Sequence, residues 1–566
     1  MEITQVNNRF EIAFNYNPGI VAYVKNIGGR FDGGKKIWWL PAHELDKVDR
    51  LTKKFCKQSA VATQPERYGE IPPLPELDAE IEERLKTELL RQPYHYQKQG
   101  IAYNLKNKRV MNADDMGGGK TTTSISTVVA ANLHKKPGLI VCKGSGKYMW
   151  EREFKVVAGM KSIILSDAIK TTWYQYYEMM GVSVFITNYE SLEKFFVAGI
   201  NEVKGQALTP EDIKWRMHPT KGIAMKDLFS YVILDESHEI RNEDTLKSVI
   251  CVGIGQGKEY RLALTGTPIV NKSKDIYAQL NFLGKTKNTK ESKKAFMDRY
   301  CGGNGAKSTN SKELHYNLNM NCYFRRNKKE FGIDLPELTM QLVYSEITNR
   351  KEYNHCLNDL SSYLKNVRGK TDGQVEKSMN AEIMVQIQAL MNISARGKLK
   401  DAIEAIDEVL NTGQKVVVGI NQKEIKEALK KHYPQAYVIS GEENAVEKNE
   451  AEMAFKNLQG PGLIIVSIKA GGVGINLQTA SDIICVENPW HPAIFYQFIA
   501  RVHRNGQKNK VNAKVLIGKD TFDERIWEII ESKKDIADTI TGSDDSDIQR
   551  QVIDKVKESL FNPKNK

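Results

Sequence analysis

Apolar runs of strand length, each followed by a stretch with helical spacing, recur along this 566-residue chain. Within residues 93–284 the runs are RVMNA, GLIVC, VSVFITN, YVILDE and YRLALTG. A second series begins near residue 396 with VVVGI, AYVIS, GLIIVS, IICVE and KVLIG. Short continuous apolar runs alternating with helical segments predict a parallel sheet with crossover helices. Two such series predict an α/β chain of two lobes, at 93–284 and 396–535. Between them, residues 285–330 hold twelve bases against four acids, and 340–395 read as mostly helical and polar. The intermediate region is therefore drawn at 285–395, and a polar tail at 536–566 is expected to fray. No tandem repeat of short period occurs.

Residues 1–57 read as a separate small α+β unit. Phe10, Ile12 and Phe14 alternate as a strand does, residues 18–27 have helical spacing, and DGGKK marks a hairpin before IWWL. Residues 42–55 read as a helix. A fold this small needs large aromatics inside, so Phe10, Phe14, Phe31 and one tryptophan are expected in its core. Trp38 and Trp39 are adjacent, so in a strand they face opposite sides and one is exposed. Residues 58–92, which include IPPLPE, read as a linker.

Composition narrows the class. No stretch approaches the ~18 apolar residues of a membrane span, and MEITQVNNRF does not start as a secretory signal does. Seven cysteines, an odd number without a C-x-x-C pair, point away from a disulfide framework and from zinc. A soluble protein of a reducing compartment is expected: cytoplasmic, with the nucleoid or the nucleus as alternatives set by the cell type. The 82 Lys and Arg exceed the 70 Asp and Glu, giving +12, which makes a polyanion a plausible partner.

The candidate chemistry begins after the first strand. Ala113-Asp-Asp-Met-Gly-Gly-Gly-Lys-Thr121 precedes a helix. Gly117, Gly118 and Gly119 would let backbone N–H groups converge on phosphate oxygens at a helix N-terminus. Lys120 would reach the β/γ-phosphates and Thr121 would ligate Mg²⁺. The strict pattern has Gly where Asp114 stands. Downstream, YVILDESHEI ends a strand in Asp235 and Glu236. Acids there face the ligand crevice of a parallel sheet. Asp235 would hold Mg²⁺ and Glu236 would orient and deprotonate an attacking water. A lone Asp-Glu pair is ordinarily a solvated turn; following a phosphate loop and a buried-type strand, this one fits a nucleoside-triphosphatase.

These motifs and their order resemble the Swi/Snf-type ATPases of helicase superfamily two, over about residues 93–535. DDMGGGKT is similar to the family's DEMGLGKT, which shares the Asp. DESH at 235–238, LALTGTPIVN at 262–271, SIKAGGVGINLQTA at 467–480 and QFIARVHRNGQ at 497–507 resemble further motifs of that family. The resemblance implies two RecA-like lobes closing on ATP and Mg²⁺. It places Gln97 against the adenine and Gly474 among the nucleotide-contacting residues, and it sends Arg501 and Arg504 across from the second lobe, with Arg504 favoured as the arginine finger. CKGSGKYMW at 142–150 departs from the family's CPxSLxxNW; its Lys143 and Lys147 are candidate DNA-phosphate contacts. Residues 1–57 look like the HARP-type domain of annealing-helicase and fork-remodelling relatives, with Trp38 or Trp39 available to stack on unpaired bases. RRNKK at 325–329, including Arg325 and Arg326, is a candidate DNA-facing surface or a solvated charged face.

The function expected from the resemblance is a monomeric, ATP-dependent double-stranded DNA translocase acting on forked or branched DNA. The alternatives are displacement of bound protein such as RNA polymerase, strand separation, and an ATP switch on a nucleic-acid-binding protein. No membrane partner is expected.

Overall fold

The computed structural model describes residues 2–6, 9–14, 18–34, 37–41, 47–48, 51, 70–201, 207–266, 268, 273–287, 289–303, 308–331, 335–367, 373–468, 475–489 and 492–532. Its contacts divide the chain into Met1–Ile71 and Pro72–Lys566.

In the first unit, β1 (Glu2–Val6), β2 (Arg9–Ala13), β3 (Arg30–Asp32) and β4 (Ile37–Pro41) form an antiparallel sheet of order β1-β2-β4-β3, with α1 (Pro18–Asn26) preceding β3. Phe10, Ile12 and Leu40 project from one face and pack with Val24 of α1. The period of two then separates the tryptophans. Trp38 packs against that core. Trp39 lies on the other face, with the guanidinium carbons of Arg9 and Arg30 5.5 and 5.4 Å from its ring. Phe31, expected inside, is instead 54% exposed. It sits in a three-residue edge strand, where its ring meets Trp38 at 5.2 Å but has no strand beyond it. The helix expected at 42–55 falls mostly outside the described residues.

The second unit opens with α2 (Ala79–Glu88) and α3 (His95–Asn107). The linker expected at 58–92 is thus corrected in its second half. Asp78 caps α2 by accepting from the N–H groups of Glu80 and Ile81, and Leu77, Leu85 and Leu89 enter the lobe-1 core. The acidic face of α2 masks this role in the sequence.

Lobe 1 continues through β5 (Arg109–Asn112), α4 (Lys120–Ala130), β6 (Gly138–Cys142), α5 (Lys147–Ala158), β7 (Ser162–Ile164), β8 (Val184–Asn188), the hairpin of β9 (Val197–Ile200) and β10 (Ile213–Trp215), β11 (Tyr231–Asp235), α6 (Leu246–Gly255), β12 (Tyr260–Leu264), α7 (Tyr277–Leu283), α8 (Ser311–Asn321) and β13 (Tyr323–Phe324). Its main sheet is parallel, of order β13-β5-β12-β11-β6-β8-β7. Both faces are covered, which is why its strands are apolar throughout: Leu139 and Val141 enter one core layer, Ile140 and Cys142 the other.

Lobe 2 comprises β14 (Leu338–Ser345), α9 (Arg350–Val367), α10 (Gly373–Gly397), α11 (Leu399–Asn411), β15 (Lys415–Ile420), α12 (Lys423–His432), β16 (Tyr437–Ile439), α13 (Ala445–Asn457), β17 (Gly462–Ser467), β18 (Asp482–Cys485), α14 (Pro492–Ile499), β19 (Val511–Gly518) and α15 (Phe522–Ser532). Its sheet is parallel too, of order β14-β19-β18-β15-β17-β16. The intermediate region expected at 285–395 is divided between the lobes: β13 extends the first sheet beside β5, and β14 extends the second beside β19. A two-residue strand gives no periodic signal, so β13 is not visible in the sequence. Among the described residues no helix is long and apolar enough to cross a membrane.

Candidate nucleotide site between the lobes

The chain turns from β5 into α4 through the glycine loop. Gly117 and Gly119 adopt φ of +89° and +70°, the left-handed region that glycine enters without penalty. Space is equally restrictive. A Cβ on Gly119 would lie 2.2 Å from Gln97 Nε2, and one on Gly118 would lie 2.6 Å from the Phe331 ring. Lys120, the first residue of α4, donates from Nζ to the Asp114 carbonyl at 2.6 Å. Burial pulls its ammonium down, while Glu236, Asp114 and Asp235 oppose this.

The departure of this loop from the strict glycine pattern has a structural cause. Tyr323 and Phe324 of β13 pair with Met111 and Asn112 of β5, so Arg325 and Arg326 run alongside the loop's acids. Arg325 pairs with Asp115 at 3.0 Å. Arg326 is 7% exposed and binds the fully buried Asp114 at 2.5 Å, with Nε and backbone N–H donating to the other carboxylate oxygen at 3.0 Å. Its remaining amine reaches the Tyr96 carbonyl. Burial raises the Asp114 carboxyl, and the Arg326 contacts oppose that. Arg326 is therefore removed from the DNA-facing surface expected of RRNKK: it buttresses the phosphate loop from behind.

The acidic pair stands at the carboxyl end of β11. Glu236 has φ +51°, a left-handed conformation that an L residue adopts at a cost of about 1–3 kcal/mol. The sharp turn lets both carboxylates line one cleft. Asp235 Oδ1 accepts the Glu236 N–H at 3.1 Å, Oδ2 accepts the Trp150 indole N–H at 2.8 Å, and the Asp235 carbonyl accepts the Tyr189 hydroxyl at 2.8 Å. Burial and the neighbouring Glu236 push the Asp235 carboxyl up. Burial would also raise Glu236, yet the positive surroundings of His238, Lys120, Lys143 and Arg501 hold it below the usual carboxylate range. Burial shifts the His238 imidazole toward its neutral form, against the opposing pull of Glu236. His238 Nδ1 lies 3.0 Å from Thr265 Oγ1, joining the acidic motif to the end of β12.

The second lobe closes the cleft. A Cβ on Gly117 would sit 3.6 Å from Arg504 Cβ, although the two residues stand far apart in the chain. Arg501 and Arg504 both line the same cavity of about 330 Å³ as Lys120, Thr121, Asp235 and Glu236. Burial and the adjacent Arg501 bring the Arg504 guanidinium down to about 10, still charged at neutral pH. Arg152 of α5 bridges to Glu452 of α13 at 2.9 Å.

Gln97 also lines the cavity; its amide accepts the Tyr94 N–H at 3.0 Å and donates to the Gly118 carbonyl at 3.4 Å. Gly474 lies outside the described residues. Lys143 pairs with Glu239 at 3.0 Å beside the acidic motif, and Lys147 opens α5 half-buried. The residues that sequence reasoning left without a role are Trp150, Arg152, Tyr189 and Glu452. Each acts through a partner at least 46 positions away, so no local pattern signals it; Trp150 alone falls within a family-like stretch, CKGSGKYMW.

The oxygen donors present, the Thr121 hydroxyl and the Asp235 carboxylate, suit Mg²⁺, which takes one or two protein oxygens and otherwise phosphates and water. Among the described residues no group of three or more His, Cys, Asp or Glu side chains gathers as a metal cluster.

The SNF2-related domain matches residues 96–399, and the helicase conserved C-terminal domain matches residues 398–506. An uncharacterized ATP-dependent helicase of Mycoplasma genitalium is 26% identical over 460 residues, 78% of this chain and 41% of that protein. The SWI/SNF-related matrix-associated actin-dependent regulator of chromatin subfamily A-like protein 1 of Xenopus tropicalis is 23% identical over 563 residues, 93% of this chain and 54% of that protein. The human DNA annealing helicase and endonuclease ZRANB3 is 26% identical over 497 residues, 84% of this chain and 42% of that protein. The chain thus spans roughly half the length of these relatives or less. The Sulfolobus solfataricus SWI2/SNF2 ATPase core in complex with dsDNA aligns with a TM-score of 0.36 at 23% identity, covering 83% of this chain and 97% of that one. With a phosphate loop, an acidic motif and a paired-arginine helix end around one cleft, and with one family domain matching more than half of its length, the chain belongs to the SNF2-related family.

Proposed function

We propose that this chain is an ATP-dependent double-stranded DNA translocase that remodels or reanneals forked and branched DNA. The observation that carries the reading is the approach of Arg504 to Gly117 within one cavity that also holds Lys120, Asp235 and Glu236. ATP fits there with its phosphates on the loop amides and Lys120. Glu236, kept ionised by the charges around it, orients a water and takes its proton. Arg504 meets the charge developing on the γ-phosphate only while the lobes are closed, so closure and hydrolysis become one event. Mg²⁺, held by Thr121 and Asp235, would neutralise charge on the β- and γ-phosphates. Two lobes that alternately close and open can ratchet along a backbone gripped by its phosphates, without regard to sequence. The reannealing of forks is supported by the relative named as a DNA annealing helicase and by the aromatic and basic face around Trp39. The chain is proposed to act as a monomer.

The test is ATP hydrolysis measured with single-stranded, duplex, forked and RNA ligands, alongside annealing and unwinding of labelled forks. Strong stimulation by duplex and forked DNA, with annealing exceeding unwinding, is expected. Equal turnover with and without DNA would leave only an ATP switch.

A further inference from the structure

Helix α5 touches the acidic motif with one side and the second lobe with the other. Trp150, fully buried, donates its indole N–H to Asp235 Oδ2 at 2.8 Å. Two residues on, about 200° around the helix axis, Arg152 Nη2 meets Glu452 Oε1 at 2.9 Å, and Nη1 lies 3.3 Å from Met453 Sδ, both on α13. Trp150, Phe154 and Val157 bury the helix against lobe 1 at spacings of four and three, so α5 can shift only as a unit. Asp235 has its other oxygen fixed by its own strand end, through the Glu236 N–H. The orientation of the carboxylate is therefore set by two elements, and one of them is pinned across the cleft.

A buried indole usually finds an acceptor, and a backbone carbonyl would serve packing equally well; the buried indoles of Trp173 and Trp527 have no hydrogen-bond partner among the described residues. For Trp150 the acceptor is the carboxylate that faces the nucleotide cavity. We infer that α5 is a strut that sets the Asp235 carboxylate in step with lobe closure: Trp150 is a positioning residue for Asp235, and the Arg152–Glu452 pair anchors the strut on the second lobe. The inference rests on reading the cleft as an ATP and Mg²⁺ site and adds how that site senses closure. When the lobes part, the anchor is lost and α5 relaxes. The carboxylate then keeps only the hold of its own backbone, and metal-assisted binding weakens before the next closure.

The experiment measures binding of a non-hydrolysable ATP analogue to the full chain by calorimetry, in EDTA and in Mg²⁺. Trp150→Phe keeps the ring and loses the donor. It should bind the analogue in EDTA as the parent does, while the Mg²⁺ enhancement falls by about tenfold, the effect of one charge-assisted hydrogen bond. Arg152→Glu, which leaves the lobe-1 core intact, should lose a similar factor, and Arg152→Glu/Glu452→Arg should regain it. Trp150→Phe combined with Arg152→Gln should be no worse than the poorer single variant. Full Mg²⁺ enhancement in Trp150→Phe, no recovery in the charge-swapped pair, or losses that multiply in the double variant would each overturn the strut. Absence of any Mg²⁺-dependent binding in the parent chain would instead overturn the nucleotide site itself.

Discussion

Lys120, Glu236 and Arg504 occupy distinct positions around one cavity, and their substitutions should fail in distinct ways. Lys120→Ala should abolish hydrolysis and weaken nucleotide binding, because it removes the ammonium placed to meet the β- and γ-phosphates. Glu236→Gln should bind ATP and not turn it over, which single-turnover assays with labelled ATP would read. Arg504→Ala should retain binding and lose about 10³-fold or more in turnover, as an arginine finger does; normal hydrolysis would remove it from that role. Asp114→Ala acts by another route. It strips the buried Arg326 guanidinium of its carboxylate. An unpaired buried charge costs about 3–5 kcal/mol, so the denaturant midpoint should fall sharply while Asp114→Ala/Arg326→Met recovers part of the loss.

α2 occupies sequence that reads as an acidic tether, yet Leu85 is 1% exposed inside lobe 1. Leu85→Ala should therefore cost about 2–5 kcal/mol of lobe-1 stability in equilibrium unfolding, whereas a residue in a free tether would cost nothing measurable. β13 pairs with β5 through only two residues. Two residues of strand are too short to announce themselves, but their register with β5 decides which charges flank the phosphate loop. The long strands were legible from their apolar runs because a parallel sheet covered on both faces admits few polar side chains. The hairpin of β3 and β4 is legible from DGGKK, whereas the exposure of Phe31 and the existence of β13 are not, because both depend on what pairs with a short edge strand.

At the scale of the whole molecule, the proposed function calls for two lobes and a nucleic acid. DNA-stimulated hydrolysis should fall steeply as salt rises, because a phosphate-directed grip releases counterions; titrations at several ionic strengths would give the slope. Deleting residues 1–57 should leave stimulation by plain duplex nearly intact and weaken the response to forks, and equal loss on both would remove the substrate-choosing role from that unit. The linear chain alone determined the two-lobed α/β architecture, the phosphate loop, the acidic pair and the two arginines, since each is written in local spacing that the backbone must obey. The tertiary structure decided which charges meet. It turned Arg326 inward to Asp114, gave Trp150 to Asp235, and joined Arg152 to Glu452 across the cleft. Those choices depend on the pairing of distant strands and on the closing of one lobe over the other, and a side chain's partner hundreds of positions away leaves no mark on its own neighbours.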